Sequence, residues 1–325
     1  MERNMISLSR RGFMQALAAS GAAAPLAAAC QTMASGPFFA SKSAPIGIQL
    51  YTLSDMLATN LEGAISGVAK IGYKTVEIPS YMGKTPAQLR EIFNRHGVKC
   101  TGAHIGMNLG TEAAPGLRGD LNKLAADMHI LGVTHVYAPS MAIPTDIGLT
   151  QNPGEGYAYI SRVAEAMGEE RWKKLAAELT DIGRKLKANG IAFGYHNHNF
   201  EFAKAGNRTG YDIMVTESDP AFVSFELDVG WAAAAGNDIP ALFAKYSGRY
   251  TGIHLKDLKA STVPNINLKM DPTEVGSGKL DWAKILPAAW NAGVRNYYLE
   301  QEPPFEEGRM EAAEIGYKYL STLVA

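Results

Sequence analysis

The sequence predicts an α/β protein built as a single (β/α)8 barrel, the TIM barrel architecture. The chain has 325 residues, which is a typical length for one such barrel. Eight short apolar runs alternate with amphipathic helical patterns, as expected of strands that helices cover on the outside. No G-x-G-x-x-G fingerprint follows the first run, "IQLY", and this argues against a doubly wound nucleotide-binding sheet.

The eight candidate strands are almost continuously apolar, a pattern typical of strands buried on both faces. Between them, apolar residues recur at helical spacing, for example from Leu117 to Leu131 and from Trp172 to Leu186. The glycines of "RHG" and "ANG" stand just past two predicted helix ends, where a left-handed residue closes a helix. The predicted strands are 46–51, 75–79, 98–104, 135–140, 191–197, 223–229, 251–256 and 296–301.

The N-terminus differs from the rest of the chain in composition. Ser9, the pair Arg10-Arg11 and Phe13 precede an alanine-rich run, which is typical of a twin-arginine export signal. An ordinary secretory leader or a disordered basic start is the alternative. Cys30 follows "LAAA", a loose match to a lipoprotein cleavage site, so lipid anchoring at Cys30 is left open.

These features set the predicted domain boundaries. We expect a signal segment at residues 1–30, a Ser/Pro/Ala-rich linker at 31–44 and one barrel domain at 45–325. The signal predicts a periplasmic or otherwise exported protein. With the leader removed only Cys100 is certain to remain, so no intramolecular disulfide is expected even in an oxidising compartment.

Composition excludes several classes of function. The formal net charge is −1, which gives neither a basic footprint for nucleic acid nor a polybasic membrane patch. Outside the N-terminus no stretch approaches the roughly 18 uncharged apolar residues of a transmembrane helix. We expect no nucleic-acid partner and no transmembrane segment in the mature chain. The oligomeric state, including a homo-oligomer, is left open.

Residue types that bind metals stand at the C-terminal ends of the predicted strands, where barrels of this kind build active sites. A lone histidine there is usually a hydrogen-bonded structural residue, but six strands that end this way favour a shared site. Carboxylates and imidazoles that converge from different strands suit a divalent cation. The residues are Glu77, His104, His196, His198, Asp228, His254, Lys256, Glu300 and Glu302.

Five motifs carry a family resemblance: "YHNHNFEF", "ELDVGW", "IHLKD", "VGSGKLDW" and "YYLEQE". They resemble the xylose-isomerase-like barrels known as sugar phosphate isomerases/epimerases, which include inosose dehydratases, tagatose-type ketose epimerases and hydroxypyruvate isomerase. The resemblance covers about residues 45–323. It implies one Mn²⁺, Mg²⁺, Co²⁺ or Zn²⁺ ion held by four side chains from strands five to eight. Carried over position by position, these are His196, Asp228, His254 and Glu300.

One position departs from the family pattern. Many relatives have Glu-Asn where this chain has His196-Asn197. Side chains two apart on a strand share a face, so His198 is the alternative ligand. We expect one of these histidines to bind metal and the other to face the substrate.

The resemblance also implies catalytic residues. In the ketose epimerases, two metal-bound glutamates exchange the proton next to a carbonyl, and Glu300 alone remains of that pair here. Its partner is sought among Glu77, His198 and Glu201, or else the reaction differs. Lys256 of "HLKD" is similar to the inosose dehydratase branch, in which a proton and a hydroxyl leave adjacent carbons of a keto-cyclitol.

Substrate contacts are predicted for His104, Glu201, Trp231 and Lys256. Trp231 stands where several relatives have a substrate-contacting histidine, and its ring suits stacking on a sugar. The segment 141–169 is unusually long for a βα connection. It is expected to act as a lid over the metal, with a decoration of no function as the alternative.

The expected function is a divalent-metal-dependent isomerase or epimerase that removes a proton next to a carbonyl of a keto-sugar, keto-glycoside or keto-cyclitol. A lyase is the first alternative, acting as a dehydratase or eliminating an aglycone from a 3-keto-glycoside. A non-catalytic periplasmic sugar-binding barrel is the second. Export and the lack of a glycine-rich phosphate loop after strands seven or eight favour an unphosphorylated small carbohydrate. The apurinic endonucleases share the barrel but need a histidine where Trp231 stands.

Overall fold

The computed structural model describes residues 36–156 and 158–325. The predicted signal segment 1–30, with Cys30, lies outside the described residues. The same holds for residues 31–35 of the predicted linker.

Within the described chain, parallel strands close into a barrel in which each strand pairs with its neighbours in sequence and the last pairs with the first. This confirms the predicted (β/α)8 barrel. All eight predicted strands are present; seven are shorter than predicted by one to three residues, and the seventh is shifted one residue towards the N-terminus. The strands are Gly47–Gln49, Thr75–Ile78, Lys99–His104, His135–Ala138, Ala192–His196, Ser224–Asp228, Tyr250–Leu255 and Asn296–Leu299.

One short helix precedes the first strand, and helices follow each of the eight strands and cover the barrel from outside. They are Phe38–Ser41, Ser54–Thr59, Leu61–Ile71, Pro86–His96, Leu121–Leu131, Ala158–Ala166, Gly168–Ala188, Gly210–Glu217, Val229–Ala234, Ile239–Lys245, Trp282–Asn291 and Arg309–Thr322. Short 3-10 turns lie at Leu50–Leu53 and Phe200–Phe202. Two small antiparallel pairs, Lys204–Ala205 with Arg208–Thr209 and Asp257–Leu258 with Pro272–Thr273, decorate the loops.

The sequence dictates where several helices begin and end. Pro86 opens its helix behind Thr85, which forms a capping box with Gln88. Gly97 closes the same helix with a φ of 67°, a left-handed conformation that glycine adopts without steric cost. Trp172 and Leu186 are fully buried on the inner face of the helix Gly168–Ala188.

Part of the segment predicted as a linker is packed structure. Phe38 and Phe39 lie in a short helix and are buried. Their rings make edge contacts with Tyr297, and that of Phe38 also contacts Trp290. The packed domain therefore begins before residue 45. Burying two adjacent phenylalanine rings is favourable, so this part of the chain packs on the barrel instead of remaining a solvated linker.

None of the described helices combines the length and apolar character needed to cross a bilayer.

Candidate active site at the mouth of the barrel

Four side chains from strands five to eight converge at the C-terminal end of the barrel. They are His196, Asp228, His254 and Glu300, here called the candidate metal group, and all four are buried. His254 Nδ1 lies 3.0 Å from Glu300 Oε2 and 3.8 Å from Asp228 Oδ2. His196 Nε2 lies 3.9 Å from Asp228 Oδ2. Atoms bound to one ion at about 2.0–2.2 Å are themselves about 3–4 Å apart, so these separations suit a shared cation.

The orientation of both imidazoles is set by a second group of acids deeper in the barrel. Glu226 Oε2 lies 3.1 Å from His196 Nδ1 and 3.2 Å from His254 Nε2. Glu77 Oε2 lies 2.7 Å from His254 Nε2 and accepts a hydrogen bond from Gln49 Nε2. Carboxylates that hold the far nitrogen of a histidine commonly orient it for metal binding. Here they leave His196 Nε2 and His254 Nδ1 facing Asp228.

Two glycines leave space for the side chains of Glu77 and Glu226. A Cβ on Gly102 would lie 2.6 Å from Glu77 Oε1, and one on Gly252 would lie 3.0 Å from Glu226 Oε1. Both distances are shorter than a side chain tolerates without displacement. The glycines in strands three and seven therefore let fully buried carboxylates fit inside the barrel.

Sequence reasoning missed Glu226 and undervalued Glu302. Glu226 touches His104, His196 and His254, yet it stands inside the apolar run "VSFELDV". The signal was available, because Glu226 lies two residues before Asp228 on a strand and therefore shares its face. Glu302 follows Glu300 by two residues, just beyond the end of the strand Asn296–Leu299.

In the motif "YHNHNFEF" the histidines and the asparagines have different roles. The fully buried Asn197 accepts a hydrogen bond from the Asp228 backbone N–H and donates one to the Asp228 carbonyl. Asn199 bonds to the loop after strand seven, accepting from Leu268 N and donating to Asn265. His196 and His198 both line the central cavity. The asparagines thus fix the neighbouring strand and loop while the histidines face the site.

Glu201 does not lie where substrate contact requires it. It is fully buried and outside the cavity lining. Its Oε1 accepts a hydrogen bond from Tyr195 and its Oε2 accepts one from the His198 backbone N–H. Burial raises the pKa of Glu201 to about 8. This placement supports a role in positioning His198 instead of binding substrate.

Glu77 and His104 occupy different depths. Glu77 is fully buried and does not line the cavity, so it reaches the site through His254 and His104. His104 lines the cavity, and its Nε2 lies 2.9 Å from Glu226 Oε2. Of the two, His104 alone is placed to touch a bound molecule.

Lys256 sits among three carboxylates. Its Nζ lies 2.9 Å from Asp228 Oδ2, 2.8 Å from Glu300 Oε2 and 2.6 Å from Glu302 Oε1. The residue is 1% exposed and does not line the central cavity, so this conformation does not support the predicted contact of Lys256 with substrate. Gly230 makes room for its stem, since a Cβ there would lie 2.7 Å from Lys256 Cγ. The ammonium therefore shares two oxygens with the candidate metal group.

Trp231 closes one side of the site. Its indole N–H donates to Glu302 Oε1 and its backbone N–H donates to Asp228 Oδ1. Lys256 Nζ lies 5.3 Å from the ring centroid, within reach of a cation–π interaction. The ring lines the cavity beside His198, with 5.8 Å between their centroids.

The protonation states suit metal binding at three of the four candidate ligands. Burial lowers the pKa of His196 to about 4 and lowers the pKa of His198 well below its usual range. Burial opposes charge on Asp228 and Glu300, but the Lys256 ammonium together with His254 and His196 outweighs it and lowers the pKa of both carboxyls. Neutral imidazole and ionised carboxylate are the forms in which these side chains coordinate metals.

His254 is the exception among the four. Burial opposes charge on its imidazole, but the surrounding carboxylates of Glu226, Glu300 and Asp228 outweigh burial and raise its pKa well above the usual range. A bound metal would therefore displace a proton there.

Several buried polar atoms at the site lack a hydrogen-bond partner among the described residues, and Asp228 Oδ2 is one of them. A buried acceptor without a partner is costly unless something satisfies it. The Lys256 ammonium, 2.9 Å away, meets part of this demand. Asp228, His254 and Glu300 fit one divalent ion in geometry and donor chemistry, and His196 Nε2 lies 3.9 Å from Asp228 Oδ2 as the fourth candidate ligand.

The site opens into a cavity of about 760 Å³. Its polar lining includes His104, His196, His198, Glu300 and Glu302. No described residue of the segment 141–169 lines it, so the expected lid is wrong for this conformation. The loop after strand seven supplies that wall, because Asn199 holds it over the site. Helix Ala158–Ala166 supports the loop from behind, with Ser161 Oγ donating to Ile266 O.

The motif "VGSGKLDW" is held by a buried acid. Asp257, of "HLKD", accepts hydrogen bonds from Gly276 N, Leu280 N and Trp282 Nε1. A Cβ on Gly278 would lie 2.0 Å from Asp257 Oδ1, so glycine is required there. The Asp257 side chain thus holds the backbone of "VGSGKLDW" against the end of strand seven, beside the site.

Comparisons with known proteins agree with this architecture. Residues 65–322 match the family model described as xylose isomerase-like TIM barrel. An inosose dehydratase from Lacticaseibacillus casei is 24% identical over 296 residues, which cover 85% of this chain and 94% of that protein.

Two solved structures are also similar. A sugar phosphate isomerase/epimerase from Parabacteroides distasonis superimposes with a TM-score of 0.65 at 21% identity, covering 86% of this chain and 94% of the other. The IolI protein with a bound zinc atom gives a TM-score of 0.58 at 17% identity over 84% of this chain and 95% of the other. Because the family model spans most of the sequence, the chain belongs to the xylose isomerase-like TIM barrel family.

Proposed function

We propose that this protein is a divalent-metal-dependent enzyme that removes a proton next to the carbonyl of a small keto-sugar, keto-glycoside or keto-cyclitol. One observation carries the proposal. His196 Nε2, Asp228 Oδ2, His254 Nδ1 and Glu300 Oε2 converge beside a cavity of about 760 Å³. Two of the similar proteins are named for reactions of this kind, an inosose dehydratase and a sugar phosphate isomerase/epimerase.

The donor set narrows the choice of ion. Two imidazoles and two carboxylates suit Mn²⁺, Co²⁺ or Zn²⁺ better than Mg²⁺, which prefers oxygen ligands and retained water. A bound divalent ion would polarise the carbonyl oxygen and so acidify the neighbouring carbon.

The chain's own residues provide the proton chemistry. Glu300 lines the cavity and is ionised beside Lys256, so it is our candidate for the base. His198 is neutral, and its buried Nδ1 has no hydrogen-bond partner among the described residues. It is placed to hold a substrate hydroxyl or to exchange a second proton. Trp231 and His104 flank the same space and position the ring.

Dehydration is the alternative outcome of the same first step. The proton leaves the carbon next to the carbonyl, a hydroxyl leaves the adjacent carbon, and the two depart together as water. The similarity to an inosose dehydratase supports this alternative. The buried Lys256 ammonium also supports it: Lys256 does not line the cavity, but it lies directly behind Glu300 and Glu302, which do, and a cation there favours negative charge that develops on the leaving oxygen.

Deuterium exchange tests the common step without presupposing the product. The metal-loaded protein in D₂O is expected to incorporate deuterium next to the carbonyl of at least one member of a panel of inososes, keto-sugars and keto-glycosides. NMR identifies the labelled carbon and shows whether epimer, alkene or released aglycone follows. A full panel without exchange, under metal saturation, counts against the proposal.

A non-catalytic sugar-binding barrel is the second candidate. The Lys256 ammonium already pairs with Asp228 and Glu300, and a cation fixed there would neutralise the site without any metal. Sugar binding that is equally tight with and without divalent ions, together with no exchange, favours this candidate.

We further propose that the chain is exported through the twin-arginine route. Replacing Arg10-Arg11 by Lys-Lys is expected to leave most of the protein in the cytoplasm with its leader attached, because that pathway reads the arginine pair. Cell fractionation with an antibody against the barrel measures the effect, and Cys30→Ser separately tests lipid anchoring. Unchanged export of the Lys-Lys variant contradicts the proposal.

A further inference from the structure

The cavity is larger than the proposed reaction needs. Its volume is about 760 Å³. A ligand atom other than hydrogen takes no more than about the 30 Å³ of a liquid water molecule, so a hexose of about a dozen such atoms takes at most roughly 360 Å³. More than half of the cavity remains free when one sugar ring occupies the polar floor. Cavities of this size bind ligands considerably larger than a monosaccharide.

The free part of the cavity has apolar walls. We call these six residues the apolar rim: Tyr51, Pro79, Pro139, Leu268, Met270 and Pro303. They come from four loops as well as the segment after strand one, and Tyr51 is 41% exposed at the entrance. The polar and charged groups of the floor, such as His196 and Glu300, lie at the strand ends instead.

Charge at the entrance does not suit a phosphate. Apart from the histidines, Lys269 is the one cation among the described lining residues, and Asp271 lies two residues away on the same loop. These opposite charges leave no net positive field for an anion. The Lys256 ammonium is already paired with three carboxylates. An uncharged, apolar group fits this part of the cavity better than an anion does.

The apolar rim is held in place before any ligand arrives. Leu268 has a φ of 52°, a left-handed conformation that costs about 1 kcal/mol or more for a residue other than glycine. The buried Asn199 fixes it, because its Oδ1 accepts from Leu268 N while its Nδ2 donates to Asn265 O. Strained residues of this kind persist where surrounding contacts determine the conformation, and they concentrate at ligand sites.

We propose that the apolar rim binds an aromatic or alkyl group joined to the sugar ring, so that the substrate is a keto-glycoside with an apolar aglycone. This inference rests on the proposed function, which places the reacting ring at the polar floor. The apolar rim and that floor line one cavity, so a single molecule can place a sugar ring on the floor and an apolar group against the rim. The residues of the apolar rim set specificity and take no part in proton transfer.

Binding of simple glucosides tests the proposal independently of turnover. Phenyl and methyl β-D-glucoside are titrated into the metal-loaded protein by calorimetry, with cellobiose as a third ligand. Burial of one aromatic ring against apolar walls is expected to make phenyl glucoside bind at least about tenfold more tightly than methyl glucoside. Cellobiose, whose second ring is polar, is expected to gain less than about threefold.

A double variant locates the preference. Leu268→Gly with Met270→Ala is expected to reduce the phenyl-to-methyl ratio to about two or less, with methyl glucoside binding unchanged. Glycine tolerates the left-handed backbone at position 268, so the fold is retained, and a melting curve checks this. Val263→Ala is the matched control, because Val263 lies on the same loop, is 74% exposed and does not line this cavity.

Each outcome decides one of the two proposals. No preference for phenyl over methyl glucoside, a preference that survives the double variant, or an equal gain for cellobiose overturns the apolar subsite. A phenyl preference that the double variant removes supports it. If that pattern appears while no keto-glycoside exchanges deuterium, the subsite stands and the proposed chemistry fails.

Discussion

Glu300→Gln is expected to keep a substantial share of its metal and to lose deuterium exchange next to the substrate carbonyl. The glutamine side chain retains an oxygen at the position of the carboxylate but cannot accept a proton. A positioned base contributes on the order of 10²–10⁴-fold to rate, so the loss should fall in that range. Exchange measured by NMR and metal content measured on the same sample separate the two roles of Glu300.

Glu302→Gln is the matched control for that experiment. Glu302 contacts the same Lys256 ammonium and also lines the cavity, but it lies outside the candidate metal group. We expect it to reduce exchange by less than about tenfold. Wild-type exchange in Glu300→Gln would mean that the base lies elsewhere. His198 and Glu302 would then be tested first, because Glu77 does not line the cavity.

Asp228→Asn and Lys256→Met are expected to change metal affinity in opposite directions. Asparagine retains the acceptor that caps Trp231 N but removes the negative charge, and loss of a metal ligand should weaken binding by more than the roughly 10–100-fold of an outer-shell change. Methionine removes an ammonium that lies 2.9 Å and 2.8 Å from two of the proposed ligand oxygens. Metal binding should therefore tighten by about tenfold. Competition with a chromogenic chelator measures both affinities.

The same lysine variant should make stability depend on metal. Removing one partner from a buried group of charges commonly costs about 3–5 kcal/mol, so metal-free Lys256→Met should melt well below the wild type. A bound divalent ion replaces the missing positive charge and should restore much of the loss. Equal metal affinity in wild type, Asp228→Asn and Lys256→Met would contradict the proposed ligand set.

Much of the fold follows from local sequence patterns. Strands of a barrel are buried on both faces, so runs such as "VSFELDV" appear as apolar blocks separated by helical spacing. Gly97 marked a helix end for a physical reason, since its left-handed conformation is costly for other residues. The convergence of His254 and Glu300 was predictable because parallel strands bring their C-terminal ends to one edge.

Other features depend on packing that the sequence does not display. The length of the segment 141–169 suggested a lid, yet length alone does not say which loop turns over the site. The loop after strand seven covers the site, because the Asn199 side chain accepts a hydrogen bond from Leu268 N of that loop. Likewise, local composition predicts a linker around Phe38, whereas in the fold its ring packs against Tyr297 and Trp290.

The choice between the two histidines also required the structure. Sequence places His196 and His198 on one face and leaves either as the ligand. In the fold, Glu226 holds His196 Nδ1, and His196 Nε2 faces Asp228. His198 lies farther along the strand end, beside Trp231 and over Phe200. This arrangement supports His196 as the metal ligand and His198 as the residue that faces substrate.

Metal content per chain tests the central claim most directly. The purified protein is stripped with a chelator, incubated separately with excess Mn²⁺, Co²⁺, Zn²⁺ or Mg²⁺, freed of unbound metal and analysed by elemental mass spectrometry. The proposed site predicts one ion per wild-type chain with at least one of these metals, and a clear loss in Asp228→Asn. A wild-type protein that stays metal-free under all four conditions, with the barrel still folded, would contradict it.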